Sequence, residues 1–303
     1  MKKLLFIVNP NAGKGAFRLS FGDVVHTFHK AGFQTTLAFT NARGEAVRYA
    51  SEEGRNYHRV VCMGGDGTLC ETVNGLMLLP PEMRPQLGYI PMGTTNDSAT
   101  NFGLSRDPLQ AAFTAACGRS IPLDIGHFNN SFFTYVVAFG AFSEVSYETP
   151  QDQKNYLGRV AYFLDAMKRL PNLTHRQVRI EYDGGTVEGD YIFCAVANSR
   201  SVAGLIKLRD SVGVSLSDGL FEIILIKTPE NVMQLGPIIT DILANNFTSD
   251  YVSLLRTHKV RFTFQDPVAW TLDGEDGGSH TEVLCENLPH SIHMIAKNEA
   301  GSL

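Results

Sequence analysis

The sequence predicts an α/β protein: a doubly wound domain built on a parallel sheet, followed by a β-rich second half. Three observations carry that expectation. Up to Ile121, short apolar runs alternate with segments of helical period, which implies parallel strands with helices on both faces of a sheet. Beyond Ile121 the texture changes to pairs of apolar runs joined by Asn, Asp and Gly turns. At 303 residues the chain also exceeds the usual span of one hydrophobic core, so two domains are expected. The boundary falls near Asp124, giving domains 1–124 and 125–303, with the last residues returning to the first domain.

The elements follow in order. Leu4 to Val8 reads as a buried strand, and the turn-rich NPNAGKG leads to a helix with Val24, Val25 and Phe28 at helical spacing, closed by Gly32. Phe33 to Phe39 is a second strand, Arg43 to Glu53 a polar helix, His58 to Met63 a third strand and Thr68 to Leu79 a helix. Gln86 to Ile90 and a helix over Pro108 to Cys117 continue the alternation. In the second half, IPLDIGHF and FFTYVVAF flank Asn129-Asn130-Ser131 as a hairpin, and RQVRIEYD and VEGDYIFCAVAN flank Asp183-Gly184-Gly185 as another. Leu220 to Lys227, Val260 to Phe264 and Ser291 to Ala296 are further strands; Tyr156 to Leu170 and Asn231 to Ala244 are helices.

Composition excludes several classes. Lys plus Arg is 26 against 31 Asp plus Glu, a net charge of -5, so no basic field marks a nucleic-acid partner. The five cysteines are scattered and never spaced CxxC, which argues against a zinc ribbon or disulfide framework and for a reducing cytoplasm. MKKLLFIVNP has too short an apolar run for a signal-peptide core, and Tyr135 to Phe142 falls far below the roughly 18 residues of a membrane span. Membrane contact is therefore expected to be peripheral. His26 and His29, and His290 and His293, are spaced three apart, the first pair with no carboxylate nearby and the second on a strand where they face opposite sides; neither reads as a metal site.

The stretch VVCMGGDGTLCETVNGL places Gly64, Gly65 and Gly67 between an apolar run and a helix. Glycine there permits positive φ and close backbone approach, so successive N–H groups converge on an anion that the helix N-terminus also favours. Walker A fails, because Gly13-Lys14 leads to Gly15 and Val8 stands where the first glycine belongs; GxGxxG fails at Cys70. NPNAGKG and PMGTTND (Pro91 to Asp97) also follow strands, which puts all three loops on one edge of one sheet.

NPNAGKG, GGDGTLCETVNGL, PMGTTNDSATNFGL and LDGE (Leu272 to Glu275), in that order, resemble the bacterial diacylglycerol kinase family of soluble lipid kinases. The resemblance implies an α/β nucleotide-binding domain, a C-terminal β-sandwich domain that contributes the catalytic base, and transfer of the γ-phosphoryl group of ATP to a lipid hydroxyl with Mg²⁺. It assigns ATP contacts to Asn9, Pro10, Asn11, Ala12 and Gly13, to Thr40, to Gly65, Asp66, Gly67, Thr68, Leu69, Cys70 and Glu71, and to Thr94. It makes Asp273 the general base. Asp66, Asn96, Asp97 and Asp124 are the candidates for catalytic Mg²⁺, with Lys14 near a phosphate. A structural Mg²⁺ is implied at Ser215, Asp218 and the Leu220 carbonyl, but members with a strong site often carry a carboxylate where Ser215 stands, and one charge fewer weakens metal binding. Cys70 replaces a usual asparagine.

The implied partners are ATP and a lipid at the membrane surface, with no nucleic acid; a homodimer is left open. Two alternatives stand beside this reading: a kinase of a soluble substrate related to NAD kinase, which shares a GGDG-type loop, and a non-catalytic nucleotide-binding sensor. LDGE favours the lipid kinase over both.

Overall fold

The computed structural model describes residues 1–13, 20–93, 96–140, 176–199, 201–202, 206–207 and 215–297. The chain divides into two compact units, Met1–Ile125 with Pro289–Leu303, and Gly126–Leu288.

In the first unit β1 (Lys2–Val8), α1 (Phe21–Lys30), β2 (Phe33–Phe39), α2 (Glu45–Glu53), β3 (Arg59–Gly64), α3 (Asp66–Met77), β4 (Gln86–Pro91), α4 (Asp97–Asn101) and α5 (Pro108–Cys117) precede β5 (Arg119–Phe128). All ladders among β1 to β4 are parallel: β1 lies between β2 and β3, β3 pairs β4, and Met294 near the end of β15 (Glu275–Ala296) pairs Leu87 of β4. β3 is buried along its whole length, as a parallel strand covered on both faces must be, whereas the edge strand β2 exposes Leu37 and Phe39.

On one face Phe6, Val61, Met63 and Ile90 pack against Val24 and Phe28 of α1 and Ala111 and Ala115 of α5. Each fully buried Val or Phe contributes roughly 1.5–3 kcal/mol. The small residues set the spacing of the helices. A Cβ on Gly88 would lie 2.8 Å from the Ala115 Cβ, and one on Gly75 would lie 2.4 Å from the Val47 carbonyl, so α5 lies tight on β4 and α3 tight on α2. The start of α5 is written locally: Asp107 accepts the Gln110 N–H at 2.8 Å and Pro108 fills the first turn.

In the second unit β6 (Ser131–Phe133), β7 (Val136–Gly140), β8 (Gln177–Tyr182) and β9 (Gly185–Ala197) lead to a short hairpin, β10 (Ser201–Val202) with β11 (Ile206–Lys207). Next come β12 (Phe221–Lys227), α6 (Leu235–Ala244), β13 (Val252–Thr257), β14 (Lys259–Leu272) and most of β15. The ladders described among β6 to β15 of this unit, and that of β5 with β6, are antiparallel. The long strands β9 and β14 change partners along their length: both pair β8 with one half and β7 with the other, so the sheet folds back on itself as a sandwich. Its centre is aromatic. Trp270 packs edge-on against Phe139 at 4.9 Å and Phe262 at 5.2 Å, with Phe128 and Phe264 around it. The other side of β9 and β12 is covered by Ile238 and Ile242 of α6.

Several boundaries differ from the sequence reading. The third strand begins at Arg59 and α3 begins at Asp66, because Gly65 is the N-cap and its carbonyl takes the Thr68 and Leu69 N–H groups at 3.1 and 3.2 Å. FFTYVVAF is not one strand but two, β6 and β7, broken at Thr134-Tyr135. The helix expected from Asn231 begins as a 3₁₀ turn over Val232–Gln234, with Pro237 accommodated in the first turn of α6. β14 and β15 extend far beyond Val260 to Phe264 and Ser291 to Ala296; a register shift between Thr263 and Val268 carries β14 past Pro267, which had masked the alternation. The helix expected over Tyr156 to Leu170 lies outside the described residues.

Candidate active site

The strand order β4-β3-β1-β2 reverses direction between β1 and β3, so the crevice of this parallel sheet opens at the carboxyl ends of those two strands. The loops that leave them are tied together there. The Asn9 side-chain amide donates to the Thr68 hydroxyl at 3.2 Å, and the Asn9 N–H donates to the Met63 carbonyl at 2.9 Å. The Asn9 Oδ1 in turn accepts the Asn11 N–H at 3.0 Å, which shapes the Asn9-Pro10-Asn11-Ala12 turn. Gly13 closes that turn at φ +60, its α-carbon so near the β4 loop that a Cβ would lie 2.5 Å from the Met92 carbonyl.

Of the residues assigned to nucleotide by resemblance, Gly65, Asp66, Gly67, Thr68, Leu69, Cys70 and Glu71 form the N-cap and first turns of α3. The positive φ expected at Gly64, Gly65 and Gly67 is absent; Gly65 sits at φ −86 and ψ −175, extended backbone open to any residue. Glycine is used here for proximity. A Cβ on Gly64 would lie 2.4 Å from the Thr68 hydroxyl, and one on Gly93 would lie 2.8 Å from the Gly65 α-carbon, so backbone crosses backbone. At Gly65 itself the nearest atom would be 3.5 Å away, and its lack of a side chain leaves the first turn of α3 without a side-chain cap.

The remaining members divide by what they touch. Leu69 is fully buried, and Thr68 nearly so, which makes both supports of the loop. The Glu71 carboxylate accepts the Gly44 N–H at 2.9 Å and so anchors the loop after Thr40, whose own N–H donates to Val8 at 2.9 Å. Cys70 is half-buried and receives the Asn74 amide on its carbonyl at 2.9 Å. Asp66 accepts the Ser98 N–H at 3.1 Å, Asn96 clasps Gly93 through both amide atoms at 2.8 and 2.7 Å from an αL backbone, and the buried Asp124 accepts the His290 N–H at 2.8 Å. Tyr89, which the sequence reading did not single out, lies within reach of the Gly64 carbonyl and the Asn96 side chain, at 3.4 and 3.5 Å; burial, with the Asp66 carboxylate and Cys62 thiol nearby, pushes its hydroxyl well above the ordinary range. Thr94, Lys14 and the Asp97 side chain lie outside what is described. Among the described residues no three His, Cys, Asp or Glu side chains gather as a metal cage.

Asp273 occupies the two-residue turn between β14 and β15, with Leu272 opposite Glu275. Asp273 and Gly274 are both at positive φ, +50 and +87, the type I′ geometry that Asp-Gly supplies. Its carboxylate is held on both oxygens: Oδ2 accepts the Thr134 N–H and hydroxyl at 2.7 and 3.0 Å, and Oδ1 accepts the Tyr135 and Val136 N–H groups, each at 2.9 Å. That explains the split of FFTYVVAF, since these N–H groups turn from the ladder to the carboxylate. Asp273 is half-buried. Desolvation pushes its carboxyl above the usual range, while the Thr134, Val136 and Tyr135 N–H groups and the Thr134 hydroxyl pull it down. Thr134 was missed by the sequence reading, although a polar pair inside an apolar strand was its signal.

Ser215, Asp218 and Leu220 share the turn before β12. The Ser215 hydroxyl accepts the Ser217 N–H at 3.3 Å, and Asp218 Oδ1 accepts the Leu220 N–H at 3.1 Å. Asp218 Oδ2 is paired with Arg256 at 2.8 Å.

Comparisons with known proteins agree across the chain. Residues 3–128 match the family described as diacylglycerol kinase catalytic domain, and residues 135–296 match a YegS C-terminal NAD kinase beta sandwich-like domain. A diacylglycerol kinase from Bacillus subtilis (strain 168) is 34% identical over 302 residues, covering 99% of this chain and 98% of that protein. One from Staphylococcus carnosus (strain TM300) is 35% identical over 283 residues, covering 91% and 90%. A solved chain from Bacillus anthracis str. Sterne superposes with a TM-score of 0.81 at 25% identity over 99% of both chains.

Proposed function

The chain belongs to the diacylglycerol kinase family, and from that premise we propose that it is an ATP-dependent lipid kinase that phosphorylates a diacylglycerol-like hydroxyl at a membrane surface. The observation that carries the reading is the convergence of the Asn9–Gly13 and Gly64–Thr68 loops with Met92, Gly93 and Asn96 at the switch point of the sheet, where strand-end loops bind phosphates.

Phosphoryl transfer asks a protein mainly for position and electrostatics. In this reading the first turn of α3 and the Asn9–Gly13 loop hold the phosphates of ATP, and Glu71 and Thr40 fix the loop beside them. Mg²⁺ is ordinarily held by one or two carboxylates with substrate phosphates and water, and in this reading Asp66 and Asp124 are the carboxylates that would supply that hold. Bound there, it would neutralise charge on the transferred group. Asp273 takes the proton of the acceptor hydroxyl; its four donors hold the carboxylate in one orientation.

The match of the second unit to an NAD kinase-like sandwich makes NAD the competing acceptor. Incubation with ATP-Mg²⁺ and a panel of diacylglycerols, sphingoid bases, NAD and sugar phosphates separates the two. Phosphate is expected on a lipid; transfer to NAD or a sugar alone would sink the lipid reading.

A further inference from the structure

We propose that in this chain the Arg256 guanidinium takes the place of the structural divalent cation that the resemblance implies at Ser215, Asp218 and Leu220. Arg256 stands directly opposite Glu222 in the β12–β13 ladder, so the register of the sheet fixes where its side chain begins. From there Nε pairs with Glu222 Oε1 at 3.2 Å and Nη2 with Asp218 Oδ2 at 2.8 Å, one planar cation spanning two carboxylates. Glu222 is 1% exposed, and burial pushes its carboxyl up to about 7 although Arg256 beside it favours the charged form.

The donor set does not suit a divalent ion. Mg²⁺ and Ca²⁺ take six or more oxygens with net negative charge among them, but Asp218 brings the one carboxylate of the three residues, and its charge is already paired with Arg256. Ser215 brings a hydroxyl, shared with Ser217, and no charge. A cation arriving at Asp218 would also meet the permanent charge of Arg256, since a guanidinium does not deprotonate to make room. Ser215 and Arg256 thus form one consistent exchange: a missing carboxylate and a present internal cation. The inference does not depend on what the protein phosphorylates.

Thermal unfolding of the full chain without nucleotide, in EDTA and in millimolar Mg²⁺, tests it. Asp218→Asn is expected to lower Tm by about 2–4 °C, the shift that one lost interaction gives a chain of this size, and by the same amount in both buffers. Comparing variant with wild type in each buffer cancels any response from metal bound elsewhere. A deficit confined to the Mg²⁺ buffer would overturn the proposal. Arg256→Met is expected to lower Tm in EDTA and to regain part of the loss in Mg²⁺, a recovery that the added Asp218→Asn removes; an Arg256→Met protein with the wild-type Tm and metal response would equally overturn it. If Arg256→Met does not fold, the Asp218→Asn comparison still decides.

Discussion

At the scale of residues, the chemistry turns on how Asp273 is held. A general base must be ionised before it can accept a proton, and burial has already moved this carboxyl above the ordinary aspartate value of about 3.9. The acid limb of kcat/KM is therefore expected above that value. Thr134→Val deletes the hydroxyl that helps hold the ionised form, so the carboxyl rises further and the limb moves to higher pH, while the plateau is largely kept. A limb unmoved in Thr134→Val would show that another group sets it. LDGE announced Asp273 in the sequence, but its donors did not announce themselves: Thr134 and Val136 are 139 and 137 residues away, and only the fold of β6, β7 and β14 brings them to the turn. Arg256 and Asp218, 38 residues apart, were hidden for the same reason.

At the scale of elements, the glycine-rich loops separate two roles that one motif conceals. Gly64→Ala and Gly93→Ala force a Cβ to 2.4 and 2.8 Å from its neighbours, so both are expected to lower Tm, as overpacking costs about 1–3 kcal/mol. Gly65→Ala meets nothing closer than 3.5 Å and is expected to fold with a near wild-type Tm. Under the proposed function its methyl intrudes on the phosphates, and nucleotide affinity is expected to fall at least about tenfold, or 1.4 kcal/mol. Nucleotide titration by calorimetry beside a melting curve reads both quantities; unchanged affinity in Gly65→Ala places the cradle elsewhere. The strands of the first unit were legible nearly to their ends, because buried parallel strands are continuous apolar runs. Of the two reasons read for the glycines, positive φ and close approach, only the second holds: at Gly64 the Thr68 side chain, and at Gly93 the Gly65 α-carbon, is what excludes a side chain. β14 and β15 were underestimated because Pro267 and the polar EDGGSHTE interrupt an alternation that the ladder runs through.

At the scale of the molecule, the chain is a doubly wound α/β unit and a β-sandwich unit, and no described helix is long and apolar enough to cross a membrane. The sandwich depends on its aromatic centre: Trp270→Ala is expected to cost about 3–5 kcal/mol, read by denaturant unfolding. Trp270→Phe should cost less, because the indole N–H has no partner among the described residues and only volume is lost. Strand-helix alternation made the first unit legible and turn spacing made the second β-rich; the closure of the sandwich through β8 was not legible, since it arises from β9 and β14 changing partners in mid-strand. The two units are given different tasks in this account, phosphate binding by the first and proton removal by the second. Asp273→Asn measures that division most directly, with ATP affinity and transfer of labelled γ-phosphate to diacylglycerol vesicles followed on the same protein. The expected result is nearly wild-type affinity with turnover reduced at least about 10²-fold. Near-normal turnover in Asp273→Asn would contradict it.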